Sequence, residues 1–212
     1  ATYAGLYSHY GQERNMAMQE YGIYIWAMGA DGSHKQWNLY DARLNATTDY
    51  ARDQWNASYE AINSANAVVS RAQALEGGMD DAEKNRLIAE ARFLRALYYF
   101  HLVRHYGDVH LTLEETQGVV TEARRTPEAE VYAQAIIPDL EFAISTLPVE
   151  PSEYGRATKG AAQHLLALVY LTRQNPGDAA LAEGLAREVI ASPQYSLQPS
   201  YQVLWDIDNI QN

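Results

Sequence analysis

The sequence predicts an all-α protein in which antiparallel helix pairs are joined by long irregular loops. Two observations support this fold class. Apolar residues recur with the 3.6-residue period of an amphipathic helix over most of the chain. The periodic segments are separated by glycines, prolines and capping residues, which are typical of helix ends. With 212 residues, the chain is long enough to bury a substantial core.

The most strongly periodic segment, residues 87–108, predicts one long helix at the centre of the fold. Its apolar residues form two stripes, which together cover most of the circumference from Phe93 onward. The stripes consist of Leu87, Ala91, Leu94, Tyr98 and His101, and of Phe93, Leu97, Phe100 and Val103. We expect other helices to surround this one. Gly107 is expected to end it with a left-handed backbone conformation.

The same period predicts helices on both sides of this segment. They span residues 1–28, 52–75, 126–147, 158–172 and 178–190. The expected N-terminal caps are Asp80 or Asp81 for the central helix, and Thr126, Thr158 and Asp178 for the last three helices. Pro138 is expected to kink the helix over 126–147. The stretches 109–122 and 193–205 are predicted to be extended.

Composition and charge exclude several classes of function. The chain has 27 acidic and 16 basic side chains and a formal charge of −11, and its basic residues are not clustered, which disfavours nucleic-acid binding. The absence of cysteine rules out disulfides, thiolate nucleophiles and cysteine-based zinc sites. No apolar run is long enough for a membrane helix. The 16 tyrosines and 4 tryptophans, against 3 phenylalanines, suit half-buried positions and binding surfaces.

The candidate ligand site lies in residues 29–51, which have no sustained period and are rich in turn-forming residues. Long loops of this kind are often functional. Sugar rings stack their apolar C–H faces on aromatic side chains, and their hydroxyl groups need carboxylate, amide or guanidinium partners. The residues predicted to bind ligand in this way are Asp31, Trp37, Asn38, Tyr40 and Arg43. The alternative is that Trp37 only attaches the loop to the helices.

Three other polar groupings are interpreted as structural. Glu90, Arg92 and Arg95 are expected to form a paired network, because a buried helix tolerates polar groups mainly in pairs. Arg156 in Gly-Arg-x-Thr is expected to hold a loop next to a helix cap. His101 and His105 have a spacing that could seat two metal ligands, but no third ligand is evident. No nucleophile motif is present, so we expect no enzymatic activity, no metal and no cofactor.

Residues 163–193 fit the tetratricopeptide pattern, in which small residues lie where two antiparallel helices cross. The matching residues are Leu166, Ala167 and Tyr170 in the first helix, and Ala179 and Ala186 in the second. An earlier pair shows Ala96 and Tyr99 at the corresponding positions, but about twenty residues separate its helices. A regular tetratricopeptide array would not contain that insertion.

Several motifs occur together, in order, along the chain. They are Trp55-x-x-x-Tyr59-x-x-Ile62-x-x-Ala65-Asn66, the run from Glu90 to Phe100, Tyr106-Gly-Asp-Val109, Glu130-Val-Tyr132, Ile137-x-Asp139-Leu140, Leu147-Pro148, the run from Gly155 to Ala162, and Tyr195-Ser-Leu197. In this combination the chain resembles the SusD/RagB family. The resemblance implies a SusD-like α/α superhelix over residues 1–212, as one region of a longer chain.

The resemblance also implies a function. Members of the family are lipid-anchored proteins on the outer-membrane surface of Bacteroidetes-type bacteria, where they form the lid of a SusC-type TonB-dependent transporter. This implies that the present chain binds an oligosaccharide ligand, pairs with such a transporter, and is anchored by a lipid outside the given stretch. Two alternatives stay open, namely a peptide ligand for the same lid and a tetratricopeptide scaffold that binds a protein segment.

Overall fold

The structure, a computed structural model, describes residues 2–21, 23, 26, 27, 29, 32 and 34–205, without the side chains of residues 13–16 and 204. Throughout these residues the regular structure is helical, and the β-type pairing is an isolated antiparallel bridge between Val109 and Thr126. The predicted all-α class is therefore confirmed. None of the helices in the described part of the chain is long and apolar enough to cross a membrane.

The helices follow one another with loops of very different length. They are α1 (Gly5–Tyr10), α2 (Glu13–Glu20), α3 (Gln36–Leu39), α4 (Asp49–Ala74), α5 (Asp81–Tyr106), α6 (Glu128–Val131), a π-helical segment (Tyr132–Ile136), α7 (Ile137–Thr146), α8 (Lys159–Arg173) and α9 (Asp178–Ala191). Short 3₁₀ helices span Thr2–Ala4 and Gln202–Trp205.

The central helix α5 is buried as predicted. It packs against α4 and α7, and Leu94, Tyr98 and Leu102 are almost fully enclosed. Asp80 caps its N-terminus by accepting a hydrogen bond from the Glu83 N–H at 2.8 Å. Gly107 ends it with a positive φ of 68°, but its ψ of −124° lies outside the left-handed helical region. The prediction for Gly107 is thus correct in the sign of φ and wrong in the conformation.

The N-terminal segment differs from the single helix predicted for residues 1–28. Helix α1 ends at Tyr10, Gln12 is extended (φ −121°, ψ 145°), and α2 then starts at Glu13. A Cβ on Gly11 would lie 2.4 Å from the Tyr7 ring, so this tight contact requires glycine. Parts of the predicted helix, including Gly22, lie outside the described residues.

Two predicted helix starts are wrong because other groups take the capping role. Thr126 pairs with Val109 in the bridge, while α6 begins at Glu128, whose N–H donates to Asp108 Oδ1 at 3.0 Å. Gly177, with φ 92°, precedes α9 as its N-cap. Asp178 is instead the first residue of α9, where its carboxylate pairs with Arg173 and accepts the Asn175 N–H.

The predicted kink at Pro138 appears as a change of helix type. Residues Tyr132–Ile136 form the π-helical segment, and Pro138 follows as the second residue of α7. In an α-helix the proline ring would clash with the carbonyl group four residues earlier, that of Gln134, and would leave it without a donor. The wider π turn accommodates both effects, as such segments do elsewhere.

Helices α8 and α9 form the predicted antiparallel pair. Thr158 caps α8 by accepting the Ala161 N–H at 3.2 Å, as predicted. Leu166, Ala167 and Tyr170 of α8 are buried. The buried alanine of α9 is Ala182, whereas the predicted small positions Ala179 and Ala186 are exposed along the groove beside α8. The repeat pattern therefore identified the pair but not the residue at its crossing.

The predicted network of polar side chains on α5 is present and holds three elements together. Arg95 donates to both carboxylate oxygens of Asp139 on α7, at 2.7 and 2.8 Å. It also donates to Asn66 Oδ1 on α4 and to the Leu113 carbonyl oxygen. Arg92 lies over the Phe142 ring and 3.8 Å from Asp139.

A second buried acid, Glu90, fastens the N-terminus and the loop before α8 to the same helix. It pairs with Arg86 one turn earlier and with Arg156 at 3.0 Å. It also accepts the hydroxyl proton of Tyr3 at 3.0 Å. The expected role of Arg156, to hold a loop beside a helix cap, is confirmed by its contacts with Glu90 and Glu153.

Candidate functional site

A cavity of about 640 Å³ lies where α2, α4 and the C-terminal end of α5 meet the loop that contains α3. It is lined by Met18, Trp37, Asn45, Ala46, Ala51, Arg52, Trp55, His105, Tyr106, Asp108 and Arg125. Its size falls in the range of small-molecule sites. Its lining combines large rings with amide, carboxylate and guanidinium groups.

The aromatic wall of the cavity is held rigidly. The rings of Trp55 and Tyr106 meet edge to face, with centroids 5.1 Å apart and an interplanar angle of 88°. The Tyr106 hydroxyl donates to the Ala51 carbonyl oxygen at 2.7 Å. Burial raises the pKa of Tyr106 to about 12, so the phenol stays neutral and keeps this hydrogen bond. The two rings therefore need no rearrangement to receive a ligand.

Trp37 reaches the cavity from the short helix α3. The segment before α3 is attached to α4 by His34, whose ring stacks on Tyr50 with centroids 4.2 Å apart. The segment after α3 is folded by Thr48, which accepts the Asn45 N–H and donates to the Arg43 carbonyl oxygen. Trp37 itself is half-buried, and its buried indole N–H finds no acceptor in the described part of the chain. Because this nitrogen is shielded from solvent, the part of Trp37 that lines the cavity is its apolar ring.

Charged side chains form the opposite side of the cavity. The Arg125 guanidinium donates to the backbone carbonyl oxygens of Asp108 and Tyr106 at 3.0 and 3.2 Å, which fixes its position. Asp108 Oδ1 accepts the Glu128 N–H. A carboxylate has about four lone-pair sites and a guanidinium five N–H donors, so both groups retain capacity for a ligand. Arg52 pairs with Asp49 and Asp53 near the rim.

The structure brings one of the predicted loop residues, Trp37, to this cavity. Asn38 Nδ2 donates to the Trp26 carbonyl oxygen at 3.3 Å. Tyr40 follows α3 with a φ of 49° and is 67% exposed. The Arg43 guanidinium donates to the Asp41 carboxylate, with the Nε to Oδ1 distance at 3.0 Å. Asp31 lies outside the described residues. The set of five stays a prediction.

The loop itself is more ordered than predicted. The four-residue helix α3 lies inside the stretch 29–51, and α4 already begins at Asp49. Asn45 explains part of this order, because its side-chain oxygen accepts the Thr47 N–H at 2.9 Å, as asparagine often does in turns. This fold of the segment determines which side of the loop faces the cavity.

The predicted histidine pair on α5 belongs to a stack of three rings. His9 of α1 stacks on His101 at 4.9 Å, and His101 lies 6.4 Å from His105 in turn. The Tyr10 hydroxyl is 2.7 Å from His101 Nε2, and His105 Nδ1 donates to the His101 carbonyl oxygen. Burial is the main cause of lowered pKa values, about 4 for His9 and about 3 for His101. Within the described residues no cluster of three or more acidic, histidine or cysteine side chains could hold a metal.

Several cavity residues were not selected from the sequence. Trp55, Tyr106 and Asp108 occur in motifs that we interpreted as marks of the fold, and Arg125 lies in a stretch without any pattern. One signal could have found them. Trp55 is placed near the start of a long helix directly after the candidate loop, so its ring had to lie close to that loop.

The fold and the cavity together define a helical-repeat protein with an aromatic-lined cavity. Residues 1–171 match the SusD-like family described as starch-binding and associating with the outer membrane. A SusD-like protein of Bacteroides ovatus is 31% identical over 195 residues, which cover 86% of this chain and 36% of that protein.

Two further relatives give the same result. The starch-binding protein SusD of Bacteroides thetaiotaomicron is 34% identical over 140 residues, which cover 64% of this chain and 24% of SusD. A crystal structure with xylogluco-oligosaccharide superposes with a TM-score of 0.77 at 28% identity, covering 100% of this chain and 41% of that one. The chain belongs to the SusD-like family, and it spans well under half the length of these relatives.

Proposed function

We propose that the protein binds a glycan in the cavity between α3, α4 and α5. The observation that carries the proposal is the pairing of aromatic rings with polar side chains in one cavity. Trp37 and Trp55 offer ring faces, while Asp108 and Arg125 offer hydrogen-bond partners. The names of the relatives support the same class of ligand, since they include a starch-binding protein and a structure with xylogluco-oligosaccharide.

The chemistry of binding follows from the shape of a sugar. An indole ring covers the apolar C–H face of a pyranose and excludes water from it. The hydroxyl groups at the ring edge then need partners, because an unpaired polar group in an enclosed site is costly. The carboxylate of Asp108 accepts from hydroxyl groups, and the guanidinium of Arg125 donates to them.

Calorimetric titration with malto-oligosaccharides and xylogluco-oligosaccharides tests this proposal. We expect saturable binding, and we expect Trp37→Ala to weaken it about tenfold or more, equivalent to about 1.4 kcal/mol. Trp205→Ala removes a tryptophan that is 73% exposed on the 3₁₀ helix Gln202–Trp205 and should leave the affinity unchanged. If a broad glycan panel gives no binding, or if the two variants behave alike, the proposal is wrong.

The same experiments separate the two interpretations of Trp37. A tryptophan that only attaches the loop would lower thermal stability on mutation, without a specific loss of glycan affinity. A ligand contact would lower affinity in a protein that remains folded. Circular dichroism melts of Trp37→Ala and Trp205→Ala therefore accompany the titrations. Mass spectrometry of the purified protein tests the alternative ligand, since a bound peptide would favour peptide as the cargo.

We further propose that the full-length protein is a lipid-anchored, non-enzymatic receptor at the bacterial cell surface, where it forms the lid of a SusC-type TonB-dependent transporter. Support comes from family membership, because the family is described as associating with the outer membrane. Affinity purification of the full-length protein from outer membranes should recover a transporter barrel. Recovery of a cytoplasmic partner in its place would favour the scaffold alternative. Incubation with the bound glycan should give no turnover products.

A further inference from the structure

We infer that Trp55 separates two glycan subsites, so that the ligand is an oligosaccharide that runs from the cavity across Trp55 into a second, outer groove. This inference rests on the proposed function and adds a site to it. The outer groove has a volume of about 480 Å³ and lies between α4 and the segment 110–123. Trp55 lines both spaces.

A strip of three neighbouring aromatic rings, inclined to one another, joins the two spaces. Tyr106 lines the cavity, Tyr59 lines the outer groove, and Trp55 lies between them. The ring centroids of Trp55 and Tyr106 are 5.1 Å apart, and those of Trp55 and Tyr59 are 4.9 Å apart. The planes of neighbouring rings are inclined by 88° and 47°, so the strip is not one flat platform, and successive sugar units would each meet a different ring.

The outer end of the strip is as rigid as the inner end. The Tyr59 hydroxyl donates to the His110 carbonyl oxygen at 2.6 Å, in the same way that Tyr106 donates to Ala51. Burial raises the pKa of Tyr59 well above its usual value, so this phenol also stays protonated. Rings that are already fixed lose little conformational entropy when a ligand binds.

The far wall of the outer groove is also fixed to α4. Asn63 accepts the Thr116 N–H at 2.7 Å. Asn66 Nδ2 donates to the carbonyl oxygens of Thr112 and Glu114 at 3.1 and 3.0 Å. The segment 110–116 is therefore held at a constant distance from the helix, although it has no regular structure. The groove between them has a defined width before any ligand arrives.

The outer groove has the polar groups that a sugar requires. Asn56 and Glu60 line it and are one helical turn apart on the exposed face of α4. The amide of Asn56 both donates and accepts, and the carboxylate of Glu60 accepts hydrogen bonds from hydroxyl groups. The combination of aromatic surface with amide and carboxylate repeats the chemistry of the cavity. A peptide would instead be expected to need partners for its backbone amides along the groove.

The inference predicts that affinity depends on the length of the glycan. We would titrate the protein with disaccharides and hexasaccharides of the malto and xylogluco series. A disaccharide fills the cavity alone, whereas a hexasaccharide also covers Trp55 and enters the groove. We expect the hexasaccharide of the preferred series to bind about tenfold tighter or more.

A variant that blocks the groove makes the test specific. Ala123 is exposed and lines the groove, so Ala123→Trp fills it without touching the cavity. We expect this variant to remove the advantage of the hexasaccharide and to leave the affinity for the disaccharide unchanged. Ala180→Trp makes the same change on the exposed surface of α9 and should have no effect on either ligand. Asn56→Ala should give a smaller loss for the hexasaccharide only.

The outcomes distinguish this inference from the proposed function. If the disaccharide and the hexasaccharide bind with equal affinity, the second subsite is wrong. It is also wrong if Ala123→Trp still binds the hexasaccharide more tightly than the disaccharide. In both cases the proposal of glycan binding in the cavity stands. Absence of binding for every glycan overturns the proposed function itself. Loss of disaccharide binding in Ala123→Trp contradicts the separation of the two subsites by Trp55.

Discussion

Polar residues in the middle of α5 bind one another in the protein interior, whereas those next to its C-terminal end line a cavity. In the middle, Arg95 and Asp139 have side chains only 5% and 4% exposed, and they bind each other through two hydrogen bonds. At the C-terminal end, Asp108 and Arg125 line an open cavity and bind mainly backbone groups. The same two residue types thus occur in a closed network and in an open wall.

The difference shows which property separates a structural polar residue from one available to a ligand. Arg95 uses Nε, Nη1 and Nη2 on protein acceptors, namely Asp139, Asn66 and the Leu113 carbonyl oxygen. Nothing on such a side chain is accessible to a small molecule. Arg125 donates to two backbone carbonyl oxygens and Asp108 accepts one backbone N–H, so each of these cavity-lining side chains keeps further hydrogen-bonding capacity. Accessibility and remaining hydrogen-bond capacity, rather than residue type, make the distinction.

The largest effect expected from this comparison is on stability, in the closed network. Asp139→Ala leaves the Arg95 charge buried without its partner, and we expect it to lower the free energy of unfolding by about 3–5 kcal/mol. Urea denaturation measures this. Glu183→Ala breaks an exposed ion pair with Arg187 and should cost less than about 1 kcal/mol. If both variants lower the free energy of unfolding by the same small amount, the buried network does not stabilise the fold as proposed.

The second effect concerns the histidine stack, which links the core to the cavity. The pKa values of His9 and His101 are lowered to about 4 and about 3 by burial, and for His101 also by nearby His9, His105 and Arg104. The unfolded chain binds protons near pH 6.5, so below that pH it gains protons that the folded state does not. Stability is therefore fully present above about pH 6.5 and is lost as the pH falls toward these lowered values.

The expected size is about 2 kcal/mol for each of the two histidines between pH 7 and pH 5. Urea denaturation over that range measures the change. His101→Asn should reduce the pH-dependent change by about 2 kcal/mol, even if it also lowers stability at pH 7. If the free energy of unfolding changes equally with pH in the wild type and the variant, the lowered pKa of His101 is contradicted. Because His105 lines the cavity, we also expect glycan binding to weaken as low pH destabilises the histidine stack.

Much of the fold could be predicted because helix signals are local. The period of the central helix and the caps at Asp80 and Thr158 depend on residues close together in the sequence. Two predicted helix starts were wrong because the contacts that decide them are not local. Asp108 caps α6 from twenty residues away, and Arg173 draws the Asp178 carboxylate out of the capping position. Such contacts exist only after the chain has folded.

The candidate site was predicted less well for the same reason. Trp37 could be selected because an aromatic ring beside polar side chains in a long loop is typical of a sugar-binding segment. Whether Asn38 or Arg43 faces the same space depends on the geometry of α3 and of the turns after it, which follow from Asn45 and Thr48. The cavity also needs Tyr106 and Arg125, which are nineteen residues apart and are joined by a hydrogen bond from the Arg125 guanidinium to the Tyr106 carbonyl oxygen. Sequence spacing contains no signal for this contact.

The smallest effect is expected at a predicted loop residue that the structure places away from the cavity lining. Arg43 is 60% exposed and its guanidinium binds Asp41 two residues earlier. An exposed ion pair of this kind contributes little, so Arg43→Ala should leave the free energy of unfolding nearly unchanged. Because the side chain is already engaged by Asp41, we expect glycan affinity to change less than about twofold, against about tenfold or more for Trp37→Ala. Calorimetry with the same oligosaccharide measures both variants. If Arg43→Ala weakens glycan affinity as much as Trp37→Ala, the binding surface extends along the loop beyond the cavity. A side chain that is already paired with a nearby charge can then still contribute to binding.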